Sequence, residues 1–289
     1  MPVEIAKSIL SRVRDWFSRG QSDLLRLQHD VALRSVWMQS IGAAKNPLNK
    51  FGAKYFSQAD EDGITLEIVR RLGLDSGTFA ELGVGDGLEN NTLILLANNW
   101  RGFWIGGQKL SFDATVNPDR FSFFQSWVSQ ENIVPLIKTG LGRLAADDVD
   151  VLSLDLDGND YYFIRKVLQS GILPKLFIVE YNGKFPPPIK WTIAYDPDHH
   201  WDGTDYHGAS IALLAELFSQ HSYTLVCCNA ATGVNAFFVR NQFLSSFADV
   251  PTAIEDIFVG GRYQLFHRWG NPPSPKTIER MLKSASAVV

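Results

Sequence analysis

Residues 78–87 read TFAELGVGDG, and this stretch decides how the rest of the chain is interpreted. An apolar run ends at Glu81 and opens into three alternate glycines, Gly83, Gly85 and Gly87. A Cβ at such positions would block left-handed backbone conformations and the close approach of a ligand, while the backbone N–H groups stay available as donors. We therefore predict the first strand of an α/β sheet, a tight turn after it, and a nucleotide-like cofactor lying against the turn.

The glycine spacing disfavours a dinucleotide. A G-x-G-x-x-G fingerprint that starts at Gly83 needs glycine at position 88, where the chain has Leu88. Such sites also use an acidic residue about 20 positions further on to bind the ribose. No acid lies between Gly102 and Leu110, so the pattern argues against NAD.

Composition limits the classes of protein that remain. The 289 residues are 45% hydrophobic and carry a formal charge of −4, which argues against a general nucleic-acid-binding protein. No apolar run approaches the roughly 18 residues of a membrane span, so there is no transmembrane segment in this prediction. The adjacent Cys227 and Cys228 lie in an apolar run and are predicted to be buried thiols in a reducing compartment. We expect a soluble cytoplasmic protein.

Residues 1–50 differ from the remainder, with eight basic against four acidic side chains and apolar residues at helical spacing. We predict a helical N-terminal extension. It packs on the main domain, forms a homo-oligomer, or makes a peripheral contact with an anionic membrane.

The middle of the chain alternates between helical and strand patterns. This order predicts a doubly wound, mostly parallel sheet, with its ligands outside the carboxyl ends of the strands. Residues 51–245 form this α/β domain in our prediction, and residues 246–289 a C-terminal appendage. The elements that matter below are helices over 58–72, 121–130 and 161–169, strands over 78–82, 102–105, 132–137, 149–154 and 176–180, and a terminal antiparallel pair over 223–228 and 236–240.

Carboxylates follow two of the predicted strands. Asp155 and Asp157 come directly after 149–154, and Glu180 ends 176–180. Carboxylates that converge at strand ends bind a hard cation such as Mg²⁺ or accept hydrogen bonds from ligand hydroxyls and amines. The alternative role is capping of the following helix, for which Asn159 and Asp160 are candidates.

A second polar segment, residues 196–208, forms a long connection before a helix, where substrate-binding loops are common. His207 lies just before the helix that starts near Ser210. Since histidine removes a proton near neutral pH, His207 is a candidate general base, with a buried or helix-capping histidine as the alternative.

Several motifs together resemble the FkbM-like branch of class I S-adenosylmethionine-dependent methyltransferases. They are residues 57–63 (SQADEDG), the E-x-G-x-G-x-G loop, residues 154–158 (LDLDG) and 179–180 (VE), within a resemblance that covers about residues 55–240. The resemblance implies O-methyl transfer from S-adenosylmethionine to a hydroxyl of a small molecule or a saccharide. It also implies that Asp155 lies near the sulfonium and that five residues contact the methionine half of the cofactor, namely Glu81, Gly83, Gly85, Asp86 and Gly87.

The chain departs from this family after the second strand, where Gln108 stands in place of the usual acid that binds both ribose hydroxyls. We expect Gln108 to make one such hydrogen bond. In the mechanism that the residues support, His207 removes the acceptor proton, while Asp155, Glu180 and Asp157 bind the acceptor directly or through Mg²⁺.

Two other functions are compatible with the sequence. Residues 155–157 form a D-x-D motif of the kind that holds a metal and a sugar nucleotide in glycosyltransferases. The missing ribose acid is compatible with a non-catalytic or degenerate methyltransferase-fold binding protein.

Overall fold

The computed structural model describes residues 34–262 without interruption, together with Gln21, Leu24, Leu25, Leu27, Gln28, Val31, Ala32 and Lys276. The chain divides into two compact units, residues 1–43 and 44–289. In the first, residues 34–43 are helical, and the helical pattern predicted near residues 5–17 lies outside the described residues. Within the described part of the chain, no helix has the length and apolar character needed to cross a membrane.

The second unit is an α/β fold. Its strands are β1 (Thr78–Leu82), β2 (Arg101–Gly106), β3 (Phe121–Gln125), β4 (Val151–Leu154), β5 (Leu176–Glu180), β6 (Tyr223–Cys228) and β7 (Asn235–Arg240). Its α-helices are α1 (Glu61–Arg71), α2 (Leu93–Ala97), α3 (Ile133–Leu144), α4 (Asp160–Gln169), α5 (Ile211–Ser219) and α6 (Ile254–Ile257), and short 3-10 helices cover Pro47–Phe51 and Asn241–Phe247.

The seven strands form one sheet in the order β3-β2-β1-β4-β5-β7-β6. The first five are parallel, and β7 runs antiparallel to both β5 and β6. This is the doubly wound, Rossmann-like sheet with a terminal antiparallel pair that the sequence predicted for a class I methyltransferase fold. The strand order reverses between β1 and β4, so their carboxyl ends border the crevice in which such sheets bind ligands.

Strand register places the key polar residues on one face of the sheet. Glu81 pairs with Trp104 on one side and Ser153 on the other, and paired residues share a face. Ser153 pairs with Ile178, and Asp155 and Glu180 each lie two residues beyond these positions, so they are on the same face of the sheet. Glu180 also pairs with Asn235 of β7. The side chains at the carboxyl ends of β4 and β5 therefore converge.

Two of the sequence predictions for elements near the sheet edge are wrong. Residues 121–125 form strand β3 rather than a helix, because Phe121 and Phe123 alternate with Ser122 against the neighbouring strand. Residues 133–144 form helix α3 rather than a strand. The apolar positions 133, 137, 141 and 144 recur at helical spacing and form its buried face.

One element boundary also differs from the prediction. Helix α1 begins at Glu61 rather than at residue 58, because Asp60 turns its side chain toward another part of the chain. Residues 241–257, which overlap the predicted C-terminal appendage, pack on the α/β unit through the buried Phe247, Val250 and Ile257.

Candidate active site

The glycine loop and the acidic end of β4 are in direct contact. A Cβ added to Gly83 would lie 1.5 Å from the main-chain oxygen of Asp155, and Gly83 has a φ of +89°. Glycine is therefore required here by the approach of protein backbone to protein backbone. The contact fixes the turn after β1 beside the carboxylates that follow β4.

Gly85 and Gly87 have different surroundings. A Cβ on Gly87 would meet the side chains of Leu110, Phe112 and Trp104 at 2.8–3.1 Å, so this glycine is also required for packing. A Cβ on Gly85 would meet nothing within 4 Å, although its φ is +53°. Gly85 is exposed, and its N–H makes no hydrogen bond with the part of the chain that the structure describes. The open side of the turn is therefore at Gly85.

Glu81 supports the turn from beneath. Its buried carboxylate accepts hydrogen bonds from the N–H of Asn91 at 2.9 Å, from the N–H of Thr92 at 3.0 Å and from the Thr92 hydroxyl at 2.6 Å. Burial raises the pKa of Glu81, and these donors oppose that rise. Both oxygens are thus occupied by protein donors that hold the start of α2 against β1.

Asp86 and Gln108 lie at the two sides of the crevice mouth. The main-chain oxygen of Asp86 accepts from the N–H of Ser111 at 2.8 Å, and its carboxylate accepts from the N–H of Leu88 at 3.2 Å. The bond from Ser111 ties the glycine loop to the loop after β2, and the Ser111 hydroxyl also donates to the Asp86 carboxylate at 3.1 Å. Gln108 is exposed just beyond the carboxyl end of β2.

Asp155, Asp157 and Glu180 form one carboxylate cluster. One oxygen from each lies within 4.8 Å of the others. Burial is the main cause that raises the pKa of Asp155 and of Glu180 well above their ordinary values, and the neighbouring carboxylates add to it. Glu180 Oε2 is buried and has no hydrogen-bond partner among the described residues. Each raised pKa favours the protonated form of the carboxyl, and the two groups titrate together.

His207 lies behind Glu180. Its Nδ1 is 3.7 Å from Glu180 Oε2, and the residue is only 3% exposed. Burial lowers the pKa of His207 despite the surrounding carboxylates, so the neutral imidazole is favoured. The Asn182 side chain fixes the local backbone by donating to the carbonyls of Asp205 at 2.9 Å and His207 at 3.0 Å.

Asp160 is a structural residue of this loop. Its two carboxylate oxygens accept from the N–H groups of Leu156 at 2.7 Å and Gly158 at 2.8 Å. These bonds shape the turn after β4, in which Asp157 takes a left-handed φ of 56°.

The connection over residues 196–206 crosses the crevice. Asn159 exchanges hydrogen bonds with the backbone of Asp196 at 2.7 and 3.2 Å, which fixes one end of the connection beside β4. Further along, the His200 ring stacks on Trp127, with centroids 5.9 Å apart, beyond the carboxyl end of β3. The segment therefore contacts residues that follow β4 and β3. Trp127 was not among the residues that the sequence singled out, and the swapped helix and strand assignments concealed its place after a strand.

The acidic motif at the start of α1, which entered the sequence analysis as part of the family resemblance, has a structural role. Asp60, Glu61 and Asp62 are all fully buried. Asp60 accepts from the N–H of Ala230 at 2.9 Å, and Glu61 accepts from the side chain of Asn235 at 3.1 Å. The motif thus joins α1 to the turn between β6 and β7. The three consecutive acidic residues were the sequence signal for this contact, because adjacent carboxylates that are buried need hydrogen-bond donors from elsewhere in the chain.

A cavity of about 600 Å³ lies along the edge strand β3. Leu110 and Phe112, which pack on Gly87, are among its lining residues, as is Arg143 of α3. None of the three clustered carboxylates lines this cavity.

The chain was compared with known proteins. No protein-family model matches it, and no curated protein matches it. Solved structures with a similar arrangement include a putative hemolysin from Lactococcus lactis (11% identity, 71% of this chain and 97% of that chain, TM-score 0.41). Another is the 1,6-didemethyltoxoflavin-N1-methyltransferase of Burkholderia thailandensis with bound S-adenosylhomocysteine (14% identity, 75% and 84% covered, TM-score 0.36). A third is an O-methyltransferase family 2 protein from Planctomyces limnophilus in complex with apigenin (12% identity, 57% and 51% covered, TM-score 0.35).

Proposed function

We propose that this protein is an S-adenosylmethionine-dependent methyltransferase of the FkbM-like branch that methylates a hydroxyl of a small molecule or a saccharide. The observation that carries the proposal is the contact between the glycine loop and the end of β4. It brings the open backbone at Gly85 and the carboxylates of Asp155 and Glu180 to one crevice, at the place where the strand order reverses.

The residues around Gly85 suit the methionine half of the cofactor. The N–H groups of Gly85 and Asp86 make no hydrogen bond with the described chain and are available to a carboxylate. We assign the ribose contact to Gln108, which is exposed just beyond the carboxyl end of β2. We assign Gly83, Gly87 and Glu81 to positioning, because protein atoms occupy the space or the oxygens that a ligand would use.

When bound, S-adenosylmethionine supplies an electrophilic methyl group on a positively charged sulfur. The protein then has to align the acceptor oxygen and take its proton. Glu180 and Asp155 are our candidates for contact with the acceptor, because they lie beside the glycine loop and are less buried than His207. A carboxylate with a raised pKa is a stronger base than an ordinary one.

His207 then acts one step behind the acceptor. The sequence made it the candidate base, but its burial behind Glu180 favours proton exchange with that carboxyl. We propose that Glu180 takes the proton first and that the neutral imidazole receives it or holds Glu180 in place.

The same carboxylates were expected to bind Mg²⁺. The raised pKa values of Asp155 and Glu180 favour their protonated forms, which reduces the negative charge available to a cation. We therefore propose a mechanism with no metal-dependent step.

Calorimetric titration tests the proposal. We expect S-adenosylmethionine and S-adenosylhomocysteine to bind with one site per chain, while NAD does not bind. Binding of a UDP-sugar with Mn²⁺ in place of these ligands would support the glycosyltransferase alternative. Binding of S-adenosylmethionine without methyl transfer to any acceptor in a broad hydroxyl panel would support a non-catalytic role.

A further inference from the structure

A group of exposed apolar side chains borders the glycine loop. Tyr55, Phe56 and Leu88 are 62%, 40% and 58% exposed, and we call these three residues the apolar rim. Leu88 directly follows Gly87. The loop that carries Tyr55 and Phe56 reaches the same place, because Lys54 Nζ lies 3.5 Å from Glu89 Oε1.

The backbone beneath the rim is fixed. Asp62 Oδ2 accepts hydrogen bonds from three successive N–H groups, those of Tyr55 at 2.7 Å, Phe56 at 2.6 Å and Ser57 at 2.9 Å. Lys54 also donates to the carbonyl of Gln58 at 2.8 Å. Because these bonds hold the backbone of Tyr55 and Phe56 in place, the loop loses less conformational entropy when a ligand binds to it.

The size and the charge of the apolar rim limit which kind of partner binds it. Three side chains are far fewer than the 20–30 residues a side of a stable protein interface, which argues against a second copy. An anionic membrane surface attracts unpaired basic residues. Here the adjacent Lys54 is paired with Glu89, and Asp86 adds a further negative charge. A small molecule with an apolar part is the occupant that agrees with both features.

We propose that the apolar rim binds the apolar part of the methyl acceptor, so that the acceptor is amphipathic, with its hydroxyl directed to Asp155 and Glu180. This inference rests on the proposed function, because the hydroxyl end is placed by the acidic cluster. It adds a class of acceptor: a hydroxylated or sugar headgroup joined to an alkyl chain or a hydrophobic ring.

Alkyl glucosides provide a direct test on the full chain saturated with S-adenosylhomocysteine. Octyl β-D-glucoside below its critical micelle concentration and methyl β-D-glucoside share a headgroup and differ in the alkyl chain. We expect octyl glucoside to bind at least tenfold more tightly in a calorimetric or NMR titration. Its alkyl protons, rather than its sugar protons, should receive most of the saturation transferred from the protein.

The double variant Tyr55→Ser/Phe56→Ser should remove that preference, whereas Val116→Ser should retain it. Val116 is 82% exposed on another loop and is the matched control for loss of an exposed apolar side chain. Equal affinity for the two glucosides, or equal losses in the two variants, would overturn the inference. Binding of the wild-type chain to phosphatidylglycerol vesicles, or its dimerisation, would also overturn it if the double variant abolished that behaviour.

The experiments distinguish an incorrect inference about the apolar rim from an incorrect proposed function. The double variant should bind S-adenosylhomocysteine as the wild type does, because the rim lies outside the glycine turn. If the wild type binds octyl glucoside through the rim but binds no S-adenosylhomocysteine, the proposed function fails while the apolar contact stands.

Discussion

Alanine substitutions at Gly83 and Gly85 separate a packing glycine from a ligand-contacting one. Each residue has a positive φ, so alanine costs about 1–2 kcal/mol at either position for the left-handed conformation. At Gly83 the new methyl would also lie 1.5 Å from the Asp155 carbonyl oxygen, closer than the 3.0 Å below which real contacts are essentially absent. The two strand ends must move apart there, whereas the methyl at Gly85 meets open space.

We expect Gly83→Ala to lose most of the free energy of unfolding, which for a domain of this size is about 5–15 kcal/mol. Gly85→Ala should fold with a loss of only about 1–2 kcal/mol. The methyl group added at residue 85 should keep a cofactor away from the N–H groups of the turn. It should therefore weaken S-adenosylhomocysteine binding at least tenfold, which corresponds to a loss of about 1.4 kcal/mol of binding free energy. Urea unfolding and calorimetric titration measure the two effects.

Gly171→Ala is the matched control. Gly171 has a φ of +83°, has nothing within 4 Å of its added Cβ, and lies just after α4. It should cost the same conformational energy as Gly85→Ala and leave cofactor affinity unchanged. If Gly85→Ala binds the cofactor as tightly as Gly171→Ala does, the assignment of the open turn to the cofactor is refuted.

Three further predictions concern the carboxylates. Glu180→Gln should raise the free energy of unfolding at pH 7 and lower methyl transfer by about 10²-fold or more. Because the pKa of Glu180 is raised in the folded protein, the wild type loses stability as the pH rises above the ordinary Glu value, whereas the Gln variant does not. The gain measured by urea unfolding should therefore shrink toward pH 4.5, and a loss of stability at pH 7 would contradict the account. Glu81→Gln should instead destabilise the protein by about 1–3 kcal/mol in thermal or urea unfolding, because an amide cannot accept all three hydrogen bonds that Glu81 accepts. An unchanged stability would be inconsistent with a positioning role for Glu81. Dialysis against EDTA should leave methyl transfer within twofold of its initial rate, and a loss restored by Mg²⁺ would show instead that Asp155, Asp157 and Glu180 bind a cation.

The central strands could be predicted because their signals are local. Short apolar runs that end in glycines or acids mark parallel strands buried on both faces, and the chain has such runs at β1, β4 and β5. The segment over residues 121–144 gave a wrong prediction because its local signals are weak. An aromatic edge strand there precedes a helix that contains Pro135, and the edge position gives the strand a weaker burial pattern.

The meeting of Asp155 and Glu180 was also predictable, because the carboxyl ends of neighbouring parallel strands share an edge. The burial of each side chain could not be predicted. For His207 the sequence left both a general base and a buried histidine open, and tertiary packing buries it behind Glu180. Similarly, the three glycines of the turn look equivalent in the sequence, and only their neighbours in space distinguish Gly85 from the other two.

Amide hydrogen exchange tests most directly whether a cofactor lies on the open turn. We predict that S-adenosylhomocysteine slows the exchange of the amides of Gly85 and Asp86, with smaller effects on residues 155–158. Peptides that cover the cavity beside β3 should be unaffected. Saturating S-adenosylhomocysteine that leaves Gly85 and Asp86 unprotected, or that protects only residues 111–123, would contradict the account.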